Sequence, residues 1–149
     1  MKIVESQENN FKALLESKSL KYTFERKCIY DEVAQLKTHF DADRLYARFK
    51  HKGKRISRDT VYRTLPLLLE SGVIQKSVGE GKQEFFEQTS VKGHHDHMVC
   101  VACGKIIEFS CEPIEKLQER VCKDYEFKLI FHDHRLFGHC KDCQNKRQK

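Results

Sequence analysis

Cys100-x-x-Cys103 and Cys140-x-x-Cys143 share one spacing, with 36 residues between the pairs. Four thiolates in this pattern suit a tetrahedral zinc with metal-sulfur bonds of about 2.3 Å, and both pairs reach one ion only if the intervening segment folds back on itself. All four positions are then filled by protein, so the zinc is structural. The thiols are expected to be reduced. The start MKIVESQENN is polar, no apolar signal region follows it, and no stretch approaches eighteen consecutive apolar residues. A cytoplasmic chain without a membrane partner is therefore expected, and there paired cysteines read as zinc before they read as disulfides. A redox dithiol would need a helix start next to the pair, and nothing nearby provides one. Cys28, Cys111 and Cys122 lack partner spacing and read as small buried or incidental thiols.

The rest of the chain predicts an α+β fold in two parts. Asn10 to Ser19, Lys27 to Leu36 and Asp41 to Lys50 carry apolar residues at three- and four-residue spacing, which suits short helices. Asp41 stands as an N-cap before Leu45, Tyr46 and Phe49. Ser57 can cap a further helix through Val61, Leu65, Leu68 and Leu69, which Gly72 closes. Pro66 lies inside that helix and is expected to kink it or shorten it toward Arg63. Val73 to Val78 and Gln83 to Glu87 read as strands joined around Gly79-Glu80-Gly81. Helices followed by a hairpin give the order of a winged helix-turn-helix.

Beyond Thr89, Met98 to Val101, Lys105 to Phe109 and Phe127 to Phe131 read as strands, and Pro113 to Lys123 as a helix with proline near its start. The expected organisation is a winged-helix domain at 1–86, a hinge at 87–93 and a small α/β domain at 94–149.

Charge separates the two parts. Residues 1–85 hold 17 Lys and Arg against 12 Asp and Glu, whereas residues 86–149 hold 11 against 10. RFKHKGKRISR, Arg48 to Arg58, carries six of those cations and no acid. A phosphate backbone is the commonest ligand for such a patch. The second helix of a helix-turn-helix lies in the major groove with its early residues on the bases. Here these are Arg58, Thr60, Tyr62 and Arg63, preceded by Arg55. Arginine pairs with guanine edges, and a tyrosine ring or threonine methyl lies against a thymine methyl.

GHHDHMVCVACG, Gly93 to Gly104, adds three histidines and an aspartate within four residues. In an extended strand, His94 and Asp96 face one way and His95 and His97 the other, so one stretch can feed two metal sites. Further ligands have to come from elsewhere: Glu87, Glu108, Glu115, His132, His134, His139 and the isolated His39 are candidates. Imidazoles and carboxylates suit iron(II), manganese, zinc or cobalt alike.

TVYRTL at Thr60 to Leu65, HHDHMVCVACGKIIEF at His94 to Phe109 and GHCKDC at Gly138 to Cys143 together resemble the ferric uptake regulator family. The likeness runs from LKYTFER at Leu20 to the last cysteine pair. It implies a homodimeric metal-responsive transcription factor with a C-terminal dimerisation domain, acting on double-stranded DNA, an AT-rich inverted-repeat operator. It implies a sensory site of His39, Glu87, His95, His97 and Glu108, and a second metal site of His94, Asp96, Glu115 and His132. The four paired cysteines would hold structural zinc. Peroxide sensors of the family usually carry aspartates where this chain has Glu87 and Glu108, and zinc sensors usually place a cysteine in the sensory site. The glutamates thus favour an iron(II)-responsive repressor, with manganese, cobalt or zinc as replacement metals and a peroxide-sensing repressor as the alternative. A zinc hydrolase is the rival from another class. Against it, HHDH lacks H-E-x-x-H spacing and no substrate-binding motif accompanies it. A zinc-stabilised adaptor without DNA binding is the third reading.

Overall fold

The structure, a computed structural model, describes residues 2–79, 83–89 and 95–147. It divides into two compact units, Met1–Gly93 and His94–Lys149. Among the described residues no helix is long and apolar enough to cross a membrane.

In the first unit α1 (Lys2–Ser17), α2 (Phe24–Gln35), α3 (Ala42–His51) and α4 (Arg58–Glu70) precede an antiparallel hairpin of β1 (Ile74–Ser77) and β2 (Phe85–Gln88). Side-chain caps start three of the helices: Thr23 accepts from the Arg26 amide, Asp41 from Arg44 and Ser57 from Thr60. Each cap satisfies a donor that the first turn leaves unpaired. Asp41 and Ser57 are the caps expected from the sequence, whereas Thr23 moves the start of α2 ahead of Lys27. At the end of α4, Gly72 takes a φ of +79°, a conformation that a side chain would strain. It lets the Val73 amide reach the Leu68 carbonyl at 3.0 Å.

Phe11 and Leu15 of α1, Ile29, Tyr30 and Val33 of α2, Leu45 and Phe49 of α3, and Val61, Leu65 and Leu68 of α4 are buried in one apolar cluster. Phe40, between α2 and α3, exchanges two backbone hydrogen bonds with Phe86 at 2.9 and 2.7 Å. This bridge docks the hairpin on the helices and completes a winged helix-turn-helix. The turn Glu80-Gly81 lies outside the described residues.

Pro66 does not shorten α4, which runs on to Glu70. The carbonyl that loses its partner belongs to Tyr62, and both Tyr62 and Pro66 are exposed, so water can take up that acceptor. The buried stripe of Val61, Leu65, Leu68 and Leu69 spans the proline and favours continuing the helix past it.

Glu32 of α2 is 3% exposed and binds two cations of the basic run, Arg48 Nε at 2.6 Å and Lys52 Nζ at 2.7 Å. Burial alone would raise its pKa, but the hydrogen bonds from Lys52 and Arg48 outweigh that and hold the carboxyl below its usual range. Glu32→Gln removes the charge and leaves both cations solvent access, so the expected loss at pH 7 is about 1–3 kcal/mol, toward the lower end. Urea unfolding reads it as a lower midpoint at unchanged slope. Because the folded pKa is depressed, the contribution is present above the ordinary glutamate value of about 4.3 and is lost as pH falls through the folded value. The difference between wild type and variant therefore shrinks in acid.

In the second unit β3 (Asp96–Cys100) is the central strand of a sheet in the order β4-β3-β5, antiparallel to β4 (Ile106–Phe109) and parallel to β5 (Arg135–Gly138). Helix α5 (Glu112–Asp124) lies between β4 and β5 in the chain, and α6 (Lys141–Arg147) follows β5. The run Phe127 to Phe131, expected as a strand, takes no regular structure and pairs with none of the described strands. Arg135–Gly138 takes its place beside β3, bringing Cys140 up to Cys100. Helix α6 has no apolar stripe and left no periodic trace in the sequence. Cys100 is the one buried apolar residue of this unit among the described residues, and α5 buries none of its side chains.

Candidate metal centres and DNA-facing helix

The four paired cysteines converge where β3 ends and α6 begins, so a helix start does stand beside Cys140, contrary to the expectation from sequence, and it is the convergence of all four sulfurs that favours a metal over a dithiol. Their sulfurs lie within 4.8 Å of one another, with Cys103 Sγ to Cys140 Sγ at 3.7 Å. Four sulfurs 2.3 Å from a common centre sit about 3.8 Å apart, so the cluster fits one tetrahedral ion. Amide groups prepare it. The Cys140 N–H donates to Cys100 Sγ at 3.3 Å, and this bond, followed by that from the Cys103 amide, pulls the Cys100 thiol down to about 5. Hydrogen bonding with the Cys140, Cys103 and Cys100 sulfurs pushes Cys143 up to about 12. A thiolate is the metal-binding form of cysteine, so amide donors that favour the Cys100 thiolate favour metal binding. Gly104, at φ +77°, turns the chain after Cys103.

HHDH divides its described members between the two faces of β3. Asp96 turns to Glu115 of α5 and to His132 in the segment before β5, with ligand atoms within 4.8 Å. His132 Nε2 stands 3.0 Å from Asp96 Oδ1 and 3.6 Å from Glu115 Oε1. These spacings bracket the edges of a coordination shell with bonds of about 2.1 Å. His95 and His97 turn to Glu108, again within 4.8 Å. His97 and Glu108 are register partners on β3 and β4, and His95 Nε2 lies 3.7 Å from Glu108 Oε1. All three HHDH side chains described, His95, Asp96 and His97, are buried, at 8%, 3% and 3% exposure. His94 lies outside the described residues.

The other two expected sensory residues belong to the first unit, where the wing positions them. Glu87 on β2 accepts from Gln75 Nε2 at 2.7 Å and from Ser77 Oγ at 3.2 Å. Gln75 is its register partner on β1, so the hairpin itself holds the carboxylate. His39, exposed beside the Phe40–Phe86 bridge, packs edge-on against Phe85 with ring centroids 5.3 Å apart. The spacing of HHDH points to none of these wing contacts, because they depend on strand pairing.

On α4 the side chains expected to meet DNA are exposed or half-buried: Arg55 just before the helix, then Arg58, Thr60, Tyr62 and Arg63. Ser57 fixes Thr60 by its cap and by a 2.7 Å hydroxyl contact. Acids hold Arg58, Tyr62 and Arg63 in place. Asp43 of α3 accepts from Tyr62 Oη at 3.0 Å and pairs with Arg58 at 2.8 Å, and Asp59 pairs with Arg63 at 3.0 Å. A polar groove of about 410 Å³ opens at the start of α4, lined by Arg55, Thr60 and Arg63 together with Arg26 of α2. Arg26 and Asp43 were not singled out by sequence, since neither lies in the basic run.

This chain couples a reader of DNA to donor sets for metal ions, and that pairing defines a metal-responsive transcription regulator. Comparison with known proteins narrows the class. Residues 17–137 match the model of the ferric uptake regulator family, and the chain belongs to that family. It is 37% identical over 142 residues, 93% of this chain and 89% of the relative, to the ferric uptake regulation protein of Campylobacter jejuni. The structure of the Helicobacter pylori ferric uptake regulator, described as revealing three functional metal-binding sites, matches with a TM-score of 0.61 at 33% identity, covering 95% of this chain and 93% of that one. The ferric uptake regulator of Pseudomonas aeruginosa with manganese matches with a TM-score of 0.62 at 30% identity, covering 87% and 97%.

Proposed function

We propose that this chain is a cytoplasmic homodimeric repressor, not an enzyme, that binds an AT-rich inverted-repeat operator when iron(II) fills a sensory site of His39, Glu87, His95, His97 and Glu108. The observation that carries this reading is the division of those donors. His39 and Glu87 are held by the wing of the first unit, whereas His95, His97 and Glu108 cluster in the second. A bound divalent ion supplies one positive centre that only both sets together can coordinate fully. A ligand shifts a conformational equilibrium only by its differential affinity for the two states. The arrangement that brings the wing donors to His95 and His97 is therefore favoured by metal. In a dimer that arrangement sets the separation of two α4 helices, which has to match half-sites about one helical turn apart.

Zinc at Cys100, Cys103, Cys140 and Cys143 is assigned a structural role. Asp96, Glu115 and His132, with His94, form the second metal site. Three metal sites in one chain accord with the description of the Helicobacter pylori relative. Manganese, cobalt and zinc suit the same sensory donors as iron. Dimerisation is supported by the apolar surface of the second unit: Ile106, Ile107, Leu117, Val121, Phe127 and Phe137 are all exposed in the single chain. Arg55, Arg58, Thr60, Tyr62 and Arg63 are assigned to DNA, the carboxylate partners of Arg58, Tyr62 and Arg63 exchanging for phosphates and bases on binding.

The test is an anaerobic iron(II) titration of zinc-replete protein against an AT-rich inverted-repeat duplex, followed by a small excess of peroxide. Iron is expected to raise affinity, and peroxide to leave the histidines intact. Release of DNA with oxygen added to His39 or His95 would select the peroxide-sensing alternative. Affinity indifferent to iron would overturn both.

A further inference from the structure

His134 is a metal-ligand candidate by residue type that neither metal site absorbs. We infer that it is a positioning residue of the Asp96 centre: it holds the outer oxygen of the Asp96 carboxylate so that the inner one is presented to the metal. The inference rests on the reading of Asp96, Glu115 and His132 as a metal site.

Sheet register puts His134 there. Asp96 on β3 pairs with Phe109 on β4, and on the other side His97 pairs with Arg135 of β5 in parallel register. The residue before each member of the second pair, Asp96 and His134, are therefore neighbours too. One face of the sheet carries Phe109, Asp96 and His134 in a row, while the opposite face carries Glu108, His97 and Arg135. The His97 amide also bonds the His134 carbonyl at 3.4 Å, anchoring the backbone on this side of the strand.

The side chains follow. His132 and His134 are two residues apart in the segment that leads into β5, and both rings reach the Asp96 carboxylate. They approach opposite oxygens of the same buried carboxylate: His132 Nε2 lies 3.0 Å from Oδ1, and His134 Nδ1 lies 3.6 Å from Oδ2. Phe109 fixes the His134 ring from the third strand, edge to face with centroids 5.9 Å apart. The ligand atoms of Asp96, Glu115 and His132 lie within 4.8 Å of one another, a group that does not take in His134.

A carboxylate meets a metal through one oxygen or through both. The His134 ring nitrogen stands 3.6 Å from the far oxygen, just beyond hydrogen-bonding range; a polar ring there favours the first mode, keeps the near oxygen aimed at the ion and disperses the remaining charge. Outer partners of this kind commonly govern metal affinity by 10–100-fold. Because His97 and Glu108 lie on the other face, His134 acts on one centre and not on the sensory one.

Cobalt(II) titrations of zinc-replete protein, followed by ligand-field spectra and chelator competition, test this on the full chain. His132→Ala identifies the binding event that belongs to the Asp96 centre. His134→Ala is expected to weaken that event about 10–100-fold, to leave the other event unchanged, and at saturation to give the wild-type spectrum. His134→Asn, whose amide N–H sits near the position of Nδ1, is expected to restore most of the affinity and guards against a folding effect. Unchanged affinity in His134→Ala overturns the inference. So does an Asn variant as weak as Ala whose saturated spectrum differs from wild type, since His134 would then be a ligand. If His132→Ala removes no binding event, the metal-site reading fails and this inference falls with it.

Discussion

Cys100→Ser protein is expected to lose its structural zinc, the fold of its second unit and its dimer, while the winged helix stays folded. Cys100 ends the central strand, is 4% exposed and takes the Cys140 amide on its sulfur. It joins the two cysteine pairs at the point where β5 runs beside β3. The rest of the second unit offers little to replace the metal, because α5 buries no side chain and the large apolar residues of that unit face outward. For structural zinc the binding free energy is folding free energy, about 10–16 kcal/mol in small zinc-dependent folds at neutral pH. Few domains carry that margin in reserve. Metal analysis should report one zinc fewer per chain, sedimentation a monomer, and circular dichroism the retention of α1 to α4. A zinc-free variant that remains a cooperative dimer would overturn the assignment of these four thiols.

His97→Ala is expected to act in the opposite manner, sparing zinc and dimer but flattening the response of DNA affinity to metal. His97 is 3% exposed, is paired in register with Glu108, and packs against the His95 ring with centroids 4.9 Å apart. Removing one imidazole from this cluster leaves the metal less to gain from the arrangement that completes its shell. Couplings of this kind usually amount to about 5–150-fold in affinity, and the variant should retain almost none of it. Fluorescence anisotropy with and without metal measures the ratio, at fixed ionic strength because DNA affinity varies steeply with salt. Full switching in the variant would place the sensor elsewhere, with the Asp96 cluster as the first candidate.

Local chemistry was legible in the sequence wherever a residue acts through its immediate neighbours. Asp41 and Ser57 announce their helices because a cap needs only the amide three residues ahead. Phe127 to Phe131 shows the limit. A short apolar run satisfies the pattern of a strand without naming a partner, and the partner of β3 proved to be Arg135–Gly138, which leads directly into Cys140. Pro66 shows another limit, since a local penalty inside α4 is outweighed by an apolar face that packs across it. The basic run is a third case: its charge is visible in sequence, but only the fold brings Glu32 from sixteen residues upstream onto Arg48.

What the sequence by itself determined is the order of helices and hairpin, the charge of the first half and the two cysteine pairs, because helical period, capping and ligand spacing are written into contiguous residues. Tertiary structure decided which donors share a centre: Glu115 and His132 come to Asp96, Gln75 and Ser77 hold Glu87, and His134 reaches Asp96 through strand register. These groupings join residues from different strands and helices. Their proximity is set by pairing and packing across the sheet, and no local spacing encodes it.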